Sequence, residues 1–350
     1  MRPEPARHET SPQRRIGTAL VGTGQRARDC YASAMLQNPN MHLRALWSRS
    51  QLAADRFNLE VAGCSLQVFH GETGFEQLLS QPEIEAVVVA LPSGSWPYLV
   101  RILASGKHVL SESPVATDRA AAEETIRWLE GFNMDGLVWF ISEPLAYEAV
   151  FQPETLNLQE LGPVVAAEVH AVLVVEHTKE QQNARSDESL FIEGGVQYIT
   201  LLRQLLGQVT EVNCIRNSSF CAPESSSGPG AGTGGDAFFY KDVLSGTIRF
   251  DKGAVAVLNW QTSAEIQDER FRITLWGANG SITVELDNTA AAAGLRCFAL
   301  RRSCVAGRSL GGAGGGPSLP HNFPSVATER QLEAWIQAAL EADERRFARG

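Results

Sequence analysis

The residues whose types and spacing most clearly suggest a binding site are six that directly follow an apolar run. Ile16–Val21 has the composition of a buried parallel strand, and Gly22-Thr23-Gly24-Gln25-Arg26-Ala27 separates it from a predicted helix that extends to about Leu36. The first glycine of this pattern allows a tight turn, the second lets backbone approach a pyrophosphate, and the third small residue lets the helix pack close to the sheet. Free amides at the helix start then face the phosphates. The spacing predicts a dinucleotide site formed by all six residues.

The end of the second predicted strand indicates which dinucleotide binds. His42–Trp47 has a strand pattern, and Ser48-Arg49-Ser50 follows it. Chains that bind NAD place an acidic residue here to hold the ribose 2′-hydroxyl, whereas an arginine suits a 2′-phosphate. Ser48 and Arg49 therefore favour NADP(H) over NAD(H). A solvated surface arginine is the alternative.

A polar corner is the next candidate. Gly106 ends a predicted helix, Val109 and Leu110 form a short strand, and Glu112-Ser113-Pro114 follows. Ligands of doubly wound sheets bind at the carboxyl ends of strands. We therefore expect Glu112 to lie as an acceptor near the nicotinamide. An ordinary loop between a strand and a helix is the alternative.

The clearest strand signal in the chain is Ala86–Leu91, which ends at Pro92. In a parallel sheet, its carboxyl end lies at the same edge as the glycine turn. Leu91 and Pro92 therefore join the predicted cofactor-binding residues.

The order of elements predicts an α/β chain of two domains. Strands alternate with helices up to Leu137–Ile141, which indicates an N-terminal Rossmann dinucleotide-binding domain over 16–145. Residues 146–350 predict an α+β domain with a large, mostly antiparallel sheet. It also contains an amphipathic helix over Leu190–Leu206 and a final helix over about 328–347, with Thr328 and Gln331 as a capping box. The predicted strands of this domain are Val164–Val175, Val209–Ile215, Leu244–Phe250, Ala254–Thr262, Arg270–Trp276 and Ser281–Leu286.

Several polar segments are predicted to lack regular structure. Residues 1–15 form a disordered tail, Thr178–Glu188 forms a loop, and the Gly/Ser-rich segments Ser225–Gly235 and Ala306–Gly316 form mobile loops.

The amino-acid composition limits the kinds of partner that this protein could bind. The net charge of −10 argues against nucleic acid and anionic membranes, which repel an acidic surface. The six cysteines show no CxxC spacing, so we expect free thiols and no metal site. The N-terminus lacks the apolar segment of a secretory signal, and no apolar run reaches the ~20 residues needed to span a bilayer. We expect a cytoplasmic protein with a small-molecule substrate.

Three segments together make the chain resemble the Gfo/Idh/MocA oxidoreductase family, and in particular a fungal branch of it, from about Ile16 to Leu340. They are Val21-Gly22-Thr23-Gly24, the stretch Gly106–Pro114, which is similar to GKHVL-x-EKP, and Glu193-Gly194-Gly195-Val196-Gln197, which is similar to D-G-G-V-H. The resemblance implies NAD(P)(H) in the first domain and a small carbonyl or alcohol substrate in the second. It also implies homodimers or homotetramers paired through the second sheet.

Two of the family's working residues are replaced in this chain. The motif lysine falls at Ser113 and the general acid/base histidine at Gln197, whereas Glu193 retains an acidic side chain. Reducing a carbonyl needs a proton on oxygen, and a positioned acid typically contributes ~10²–10⁴-fold to the rate. A glutamine amide has no proton to give. Tyr147, just after the last Rossmann strand, and His170, within the strand Val164–Val175, are the candidate substitutes.

Three functions remain open from the sequence. One is a diverged NADP(H)-dependent oxidoreductase of a specialised metabolite that uses another acid. The second is a redox-neutral cyclase, isomerase or dehydratase on the same fold, since orientation and hydrogen bonds alone accelerate unimolecular steps. The third is a non-catalytic protein that senses NADP(H).

Overall fold

The structure, a computed structural model, describes residues 14–61, 66–92, 94–173, 189–221, 239–263, 269–288, 296–304 and 321–349. The contacts divide the chain into two compact units, Met1–Ser142 with Thr328–Gly350, and Glu143–Ala327. Residues 1–13 of the predicted tail, the segment Thr178–Glu188 and both glycine-rich segments lie outside the described residues.

The first unit contains a six-stranded sheet in which all strands are parallel, in the order β3-β2-β1-β4-β5-β6. Its strands are β1 Ile16–Val21, β2 Met41–Ser48, β3 Gln67–His70, β4 Ala86–Val89, β5 His108–Ser111 and β6 Trp139–Ile141. The strand order reverses direction between β1 and β4, which is where doubly wound sheets bind ligands. The predicted α/β fold class is confirmed for this unit.

Helices connect these strands and cover both faces of the sheet. They are α1, a π-helical segment Ala27–Ala32 continued by Ser33–Gln37, then α2 Gln51–Glu60, α3 Gly71–Leu79, α4 Trp96–Ala104 and α5 Arg119–Gly131. β1 and β4 are buried along their whole length because separate apolar clusters lie against the two faces. Such burial on both sides explains why these strands are continuous apolar runs in the sequence.

The final helix, α10 (Ala327–Arg349), packs on the first unit. The sequence predicts this final helix as part of the second domain. Trp335 and Ile336 are fully buried in the same cluster as Ile16 and Leu20 of β1. The apolar stripe of a helix indicates that it packs on a core, but not on which core, because both sheets offer apolar surface.

The second unit contains an eight-stranded sheet in the order β14-β13-β12-β11-β7-β10-β9-β8. Its strands are β7 Val164–Leu173, β8 Val209–Cys221, β9 Phe239–Phe250, β10 Val255–Ser263, β11 Arg270–Gly277, β12 Gly280–Leu286, β13 Cys297–Cys304 and β14 His321–Pro324. Every neighbouring pair is antiparallel except β7 with β10, so the predicted mostly antiparallel sheet is confirmed. A tight turn over Gly277-Ala278-Asn279-Gly280 joins β11 to β12 as a hairpin.

Short helices and one long helix accompany this sheet. They are α6 Pro144–Tyr147, a 3₁₀ turn Ala149–Phe151, α7 Pro153–Leu156, α8 Leu158–Leu161 and α9 Ser189–Leu206. Tyr198 and Leu202 of α9 lie in one core cluster with Val169 and Ala171 of β7. Because side chains alternate across a strand, the intervening residues of β7 lie on the other face of the sheet.

That other face carries exposed apolar side chains at Ile215, Val243, Val257 and Trp276. The registers of the neighbouring strands place them on the side of Glu168 and His170, away from α9. The expectation that copies of the chain pair through this sheet stays a prediction.

Seven strands and helices were absent from the sequence prediction, as was the 3₁₀ turn: β3, β13, β14, α2, α6, α7 and α8. β3 has only four residues, and two adjacent arginines, Arg301 and Arg302, interrupt the apolar run of β13. Pairing with neighbouring strands stabilises such strands, and a local sequence pattern does not show that pairing.

In the described part of the chain, no helix is long and apolar enough to cross a membrane. Cys214 and Cys297 are free thiols.

Replacing Trp335 by alanine tests the placement of α10. The side chain is fully buried in the core of the first unit, so its removal should lower the free energy of unfolding by about 3–5 kcal/mol. Denaturant unfolding of the whole chain measures this loss. The exposed neighbour variant Gln337→Ala should change it by less than ~0.5 kcal/mol. A loss below ~1 kcal/mol for Trp335→Ala would contradict this packing.

Candidate functional site

The glycine turn after β1 has the geometry that a dinucleotide needs. Gly22 has φ +113°, and a Cβ there would lie 2.4 Å from the carbonyl oxygen of Ala90. Only glycine fits this position without strain. A Cβ at Gly24 would instead meet nothing within 4 Å. The backbone at Gly24 is therefore open to a close neighbour from outside the chain.

The helix that follows begins without a capping side chain. Ala27 is fully buried against the sheet, as expected for the third small residue, while Gln25 and Arg26 are exposed. The amide of Arg28 bonds the carbonyl of Gly24 at 3.2 Å, and no side chain caps the end of the helix. The amides before Arg28 have no partner within the helix, and such a helix end attracts an anion.

Three consecutive polar residues, Ser48, Arg49 and Ser50, lie at the end of β2. Ser48 is buried and its Oγ lies 3.2 Å from Thr23 Oγ1, which ties this end to the glycine turn. Ser50 Oγ accepts the amide of Ala53 at 3.4 Å and caps α2. Arg49 is exposed, and within the described ranges it makes no hydrogen bond or ion pair. Its guanidinium remains available to a phosphate.

Glu112 supplies a buried acceptor at the end of β5. It is 9% exposed, and its amide donates to the carbonyl of Val89 at 3.2 Å. The Oε1 atom lies 3.0 Å from Nε of Arg26 as an ion pair. Apart from this ion pair, the Oε1 atom has no hydrogen-bond partner among the described residues. A carboxylate oxygen accepts more than one hydrogen bond, so Oε1 could accept another from a bound ligand.

These residues could hold a dinucleotide. The backbone at Gly24 could take the pyrophosphate, Arg49 is an exposed cation at the end of β2, and Oε1 of Glu112 could accept from a ligand hydroxyl. Leu91, half-buried beside Gly22, and the exposed Pro92 follow β4 at the same edge. The sequence-predicted cofactor residues are thus brought to one edge of the first sheet, and the half-buried Ser113 follows Glu112 there.

The second unit holds the remaining candidates. Gln197 lies on α9, where its Nε2 donates to the carbonyl of Gly194 at 3.2 Å, and Glu193 lies one turn earlier. The side chain of Glu193 is outside the described part. Tyr147 ends α6, which packs on α9, and burial raises the pKa of the half-buried Tyr147 phenol. Tyr147 and Gln197 therefore lie on adjacent helices.

His170 does not join them. It is exposed and pairs in register with Asn259 and Arg272, on the sheet face opposite α9. The strand pattern predicted His170 correctly as part of β7. The face on which it lies depends on which alternate residues pack under α9, and these are Val169 and Ala171.

Gln331 differs from its predicted role. It does not cap α10, because its amide is buried, bonds the carbonyl of Ile141 at 3.2 Å and lies 3.0 Å from Ser142 Oγ. Ser142 in turn bonds the hydroxyl of Tyr31. This hydrogen-bond network could not be predicted from the sequence, because Tyr31, Ser142 and Gln331 are far apart in the chain.

Residues 16–132 match the family model described as "Oxidoreductase family, NAD-binding Rossmann fold" of GFO_IDH_MocA. The match lies within the first unit and covers less than half of the chain. In the described ranges, no group of three or more His, Cys, Asp or Glu side chains could hold a metal ion.

One curated protein is similar to part of the chain. The dehydrogenase FPY6 of Fusarium mangiferae is 26% identical over 215 residues, which are 55% of this chain and 59% of that protein. The match thus spans less than two thirds of this curated relative.

Two solved structures share the fold of both units. An oxidoreductase from Thermotoga maritima has a TM-score of 0.65 at 20% identity, covering 94% of this chain and 89% of that one. A 3-ketoreductase from Actinomadura kijaniata, in complex with NADP and TDP-benzene, has a TM-score of 0.65 at 17% identity, covering 94% and 90%. At these identities the likeness shows the fold alone.

Replacing Gly24 by alanine tests whether the open backbone is the pyrophosphate site. The added methyl group meets no atom of the described residues within 4 Å, so the free energy of unfolding should change by less than ~1 kcal/mol. The same methyl group would hold a pyrophosphate away from the backbone, so NADPH affinity should fall at least about tenfold, or ~1.4 kcal/mol. Titration of NADPH fluorescence measures the affinity.

The matched control is Gly131→Ala, at the end of α5, because a Cβ there is equally free of contacts. It should leave NADPH affinity unchanged. Equal affinities for the wild type and Gly24→Ala would contradict the assignment.

Proposed function

We propose that this chain is an NADPH-dependent oxidoreductase that reduces a carbonyl group of a small molecule. One observation carries the proposal: the first unit matches an NAD-binding oxidoreductase family, and the glycine turn after its first strand ends in helix amides without partners, next to Arg26, which pairs with the buried Glu112 at the end of β5. When bound, the nicotinamide supplies the hydride.

The names of the relatives support a carbonyl compound as the substrate class. The fungal relative is named a dehydrogenase and the Actinomadura structure a 3-ketoreductase. The ketone of a modified sugar or of a similar polyfunctional metabolite is the substrate class that we infer.

The preference for NADPH over NADH rests on Arg49. An exposed guanidinium between two serines, with no acidic residue beside it, presents a bidentate donor to a 2′-phosphate. Ser48, held by Thr23, lies on the same strand end.

The proton for the substrate oxygen is assigned to Tyr147. Gln197 on α9 is neutral, so it can hydrogen-bond a substrate oxygen but cannot supply the proton. The phenol of Tyr147 keeps its proton at neutral pH because burial raises its pKa. His170, on the opposite sheet face from α9, has no part in this scheme.

A redox-neutral reaction is the second candidate. It is favoured by the neutral side chains at the two motif positions, Ser113 and Gln197. In addition, the Gln197 amide already donates to the carbonyl of Gly194 within α9. An isomerase or cyclase can use such groups for orientation and hydrogen bonding.

Mass spectrometry with and without NADPH separates the two candidates. A panel of keto sugars and other ketones, incubated with the protein and NADPH, should give a product heavier by two hydrogens and a matching loss of absorbance at ~340 nm. A product of unchanged mass, formed equally well without cofactor, would support the redox-neutral alternative. Tight NADPH binding without turnover of any candidate would contradict both.

Replacing Arg49 by alanine tests the cofactor preference. Loss of a charged hydrogen-bonding partner of the 2′-phosphate, worth about 1.5–3 kcal/mol, should weaken NADPH binding ~10–150-fold. NADH affinity should not change, since NADH lacks that phosphate. Calorimetric titration with both cofactors measures the difference, with the exposed Arg56→Ala on α2 as the control. Equal weakening of both cofactors would refute the assignment.

Replacing Tyr147 by phenylalanine tests the proton donor. The variant should lower kcat by ~10²–10⁴-fold, the usual contribution of a positioned acid, and leave NADPH affinity unchanged. Because the pKa of Tyr147 is raised, the wild-type rate should stay level through neutral pH and decline only as the phenol ionises in strong alkali. A decline near neutral pH, or an unimpaired Tyr147→Phe variant, would assign the proton to another group.

A further inference from the structure

An apolar cavity lies beside α9 at the edge of the second sheet. Its volume is about 460 Å³, within the ~300–1,000 Å³ of pockets that bind small molecules. β8 is the last strand of the sheet, and its Val212 pairs with Ile248 of β9. Val212 is 58% exposed, whereas Ile248 is 4% exposed. The cover that α9 gives to this face of the sheet therefore ends between β9 and β8, where the cavity lies.

Apolar side chains form the walls of this cavity, and a glycine lies in the middle of its floor. Gly246 of β9 lies between Leu244 and Ile248 on one face of the strand, and all three residues line the cavity. Gly246 pairs with Leu258 of β10 on one side and with Cys214 of β8 on the other. A Cβ at Gly246 would lie 2.7 Å from the Cβ of Cys214. The exposed Cys214 thiol is therefore beside a floor that has no side chain at its centre.

Two polar side chains, Arg203 and Gln208, line the cavity where α9 ends. Nη2 of Arg203 donates to Oε1 of Gln208 at 2.8 Å. Among the described residues, no carboxylate forms an ion pair with Arg203, and the nearby Asp251 accepts the backbone amide of Gln208 at 2.9 Å. A guanidinium has five N–H donors. Most of the donors of Arg203 are therefore available to an anion in the cavity.

The cavity lies on a different side of α9 from the motif residues. Phe191, Ile199 and Arg203 line it, and their spacing by multiples of four places them along one stripe of the helix. Gln197 precedes Ile199 by two residues, which is a rotation of about 200° around the helix axis. Gln197 therefore lies on the opposite side of α9, and the cavity is separate from the site to which the motif belongs.

We propose that this cavity binds a small amphipathic carboxylate, with its apolar chain over Gly246 and its carboxylate on Arg203. A guanidinium binds a carboxylate through two parallel hydrogen bonds, which fixes the position of the charged end. A neutral apolar molecule would leave the cation of Arg203 unpaired, and a compact phosphate would leave the apolar walls empty. Because the site lies within the second unit, this inference does not depend on the proposed cofactor.

Titration calorimetry of the full chain with decanoate and with decanol tests the charged end of this site. The wild type should bind one decanoate per chain, and Arg203→Gln should weaken that binding about tenfold. Decanol has the same apolar chain without the charge, so its affinity should be the same in both proteins. The matched control is Arg127→Gln, because Arg127 of α5 is likewise exposed and donates to one neutral oxygen, the carbonyl of Glu123. Binding that does not saturate, or equal decanoate affinity in the wild type and Arg203→Gln, would overturn the proposal.

Filling the cavity tests its apolar part. Cys214→Trp places a large side chain beside Gly246, so it should abolish the binding of both decanoate and decanol. Asn213→Trp is the matched control, because Asn213 is the preceding exposed residue of β8 and its side chain lies on the other face of the sheet. Unchanged decanoate binding by Cys214→Trp, or equal losses in the two variants, would refute the placement.

The Cys214 thiol of the wild type gives a readout that needs no variant, and it decides the question if Cys214→Trp does not fold. Bound decanoate should slow the alkylation of Cys214 by N-ethylmaleimide in proportion to the bound fraction, as measured by mass spectrometry of the peptide that contains it. An unchanged alkylation rate at saturating decanoate would refute the proposal.

Saturating NADPH separates this inference from the proposed function. It should leave decanoate affinity unchanged, because the cavity lies within the second unit and on the opposite side of α9 from Gln197. Displacement of decanoate by NADPH would place decanoate at the nucleotide site and overturn the inference. A wild type that binds decanoate in this cavity but does not bind NADPH would refute only the proposed function.

Discussion

A buried carboxylate at the carboxyl edge of a parallel sheet, at the end of β5, sets the main constraint on the first unit. Taking a charge out of water is costly unless the charge is paired and hydrogen-bonded, so Glu112 demands partners from elements distant in sequence. Arg26 of the glycine turn pairs with one oxygen, and the backbone of β4 accepts the Glu112 amide. The turn, β4 and β5 therefore have to meet at one edge, and that edge is where a parallel sheet binds its ligand.

The arrangement of the central strands could be predicted from the sequence because their burial is complete. A strand covered on both faces must be apolar at every position, so β1 and β4 stand out in the sequence as unbroken apolar runs. The turn at Gly22 could also be predicted from the sequence, because no other residue tolerates its backbone angle and the nearby Ala90 carbonyl. Where a local property of the sequence determines the structure, the sequence is sufficient to predict that structure.

The remaining features depend on contacts between distant segments. The amphipathic pattern of α10 is the same whether it packs on the first sheet or the second, and only the buried Trp335 in the Rossmann core decides between them. Gln331 matches a capping box in the sequence, yet burial beside Ile141 and Ser142 gives its amide different partners. His170 lies in the predicted strand, but a strand pattern with apolar residues on both faces does not show which face a helix covers.

The two motif positions lie in different units. Ser113 follows Glu112 at the end of β5 in the first unit, and Gln197 lies on α9 in the second, where its amide donates to the carbonyl of Gly194. Under the proposed function, a neutral amide at Gln197 can stabilise an oxyanion only through a hydrogen bond, so the proton has to come from another group. The packing of α6, which ends at Tyr147, on α9, which carries Gln197, is what makes the Tyr147 phenol our candidate for that group.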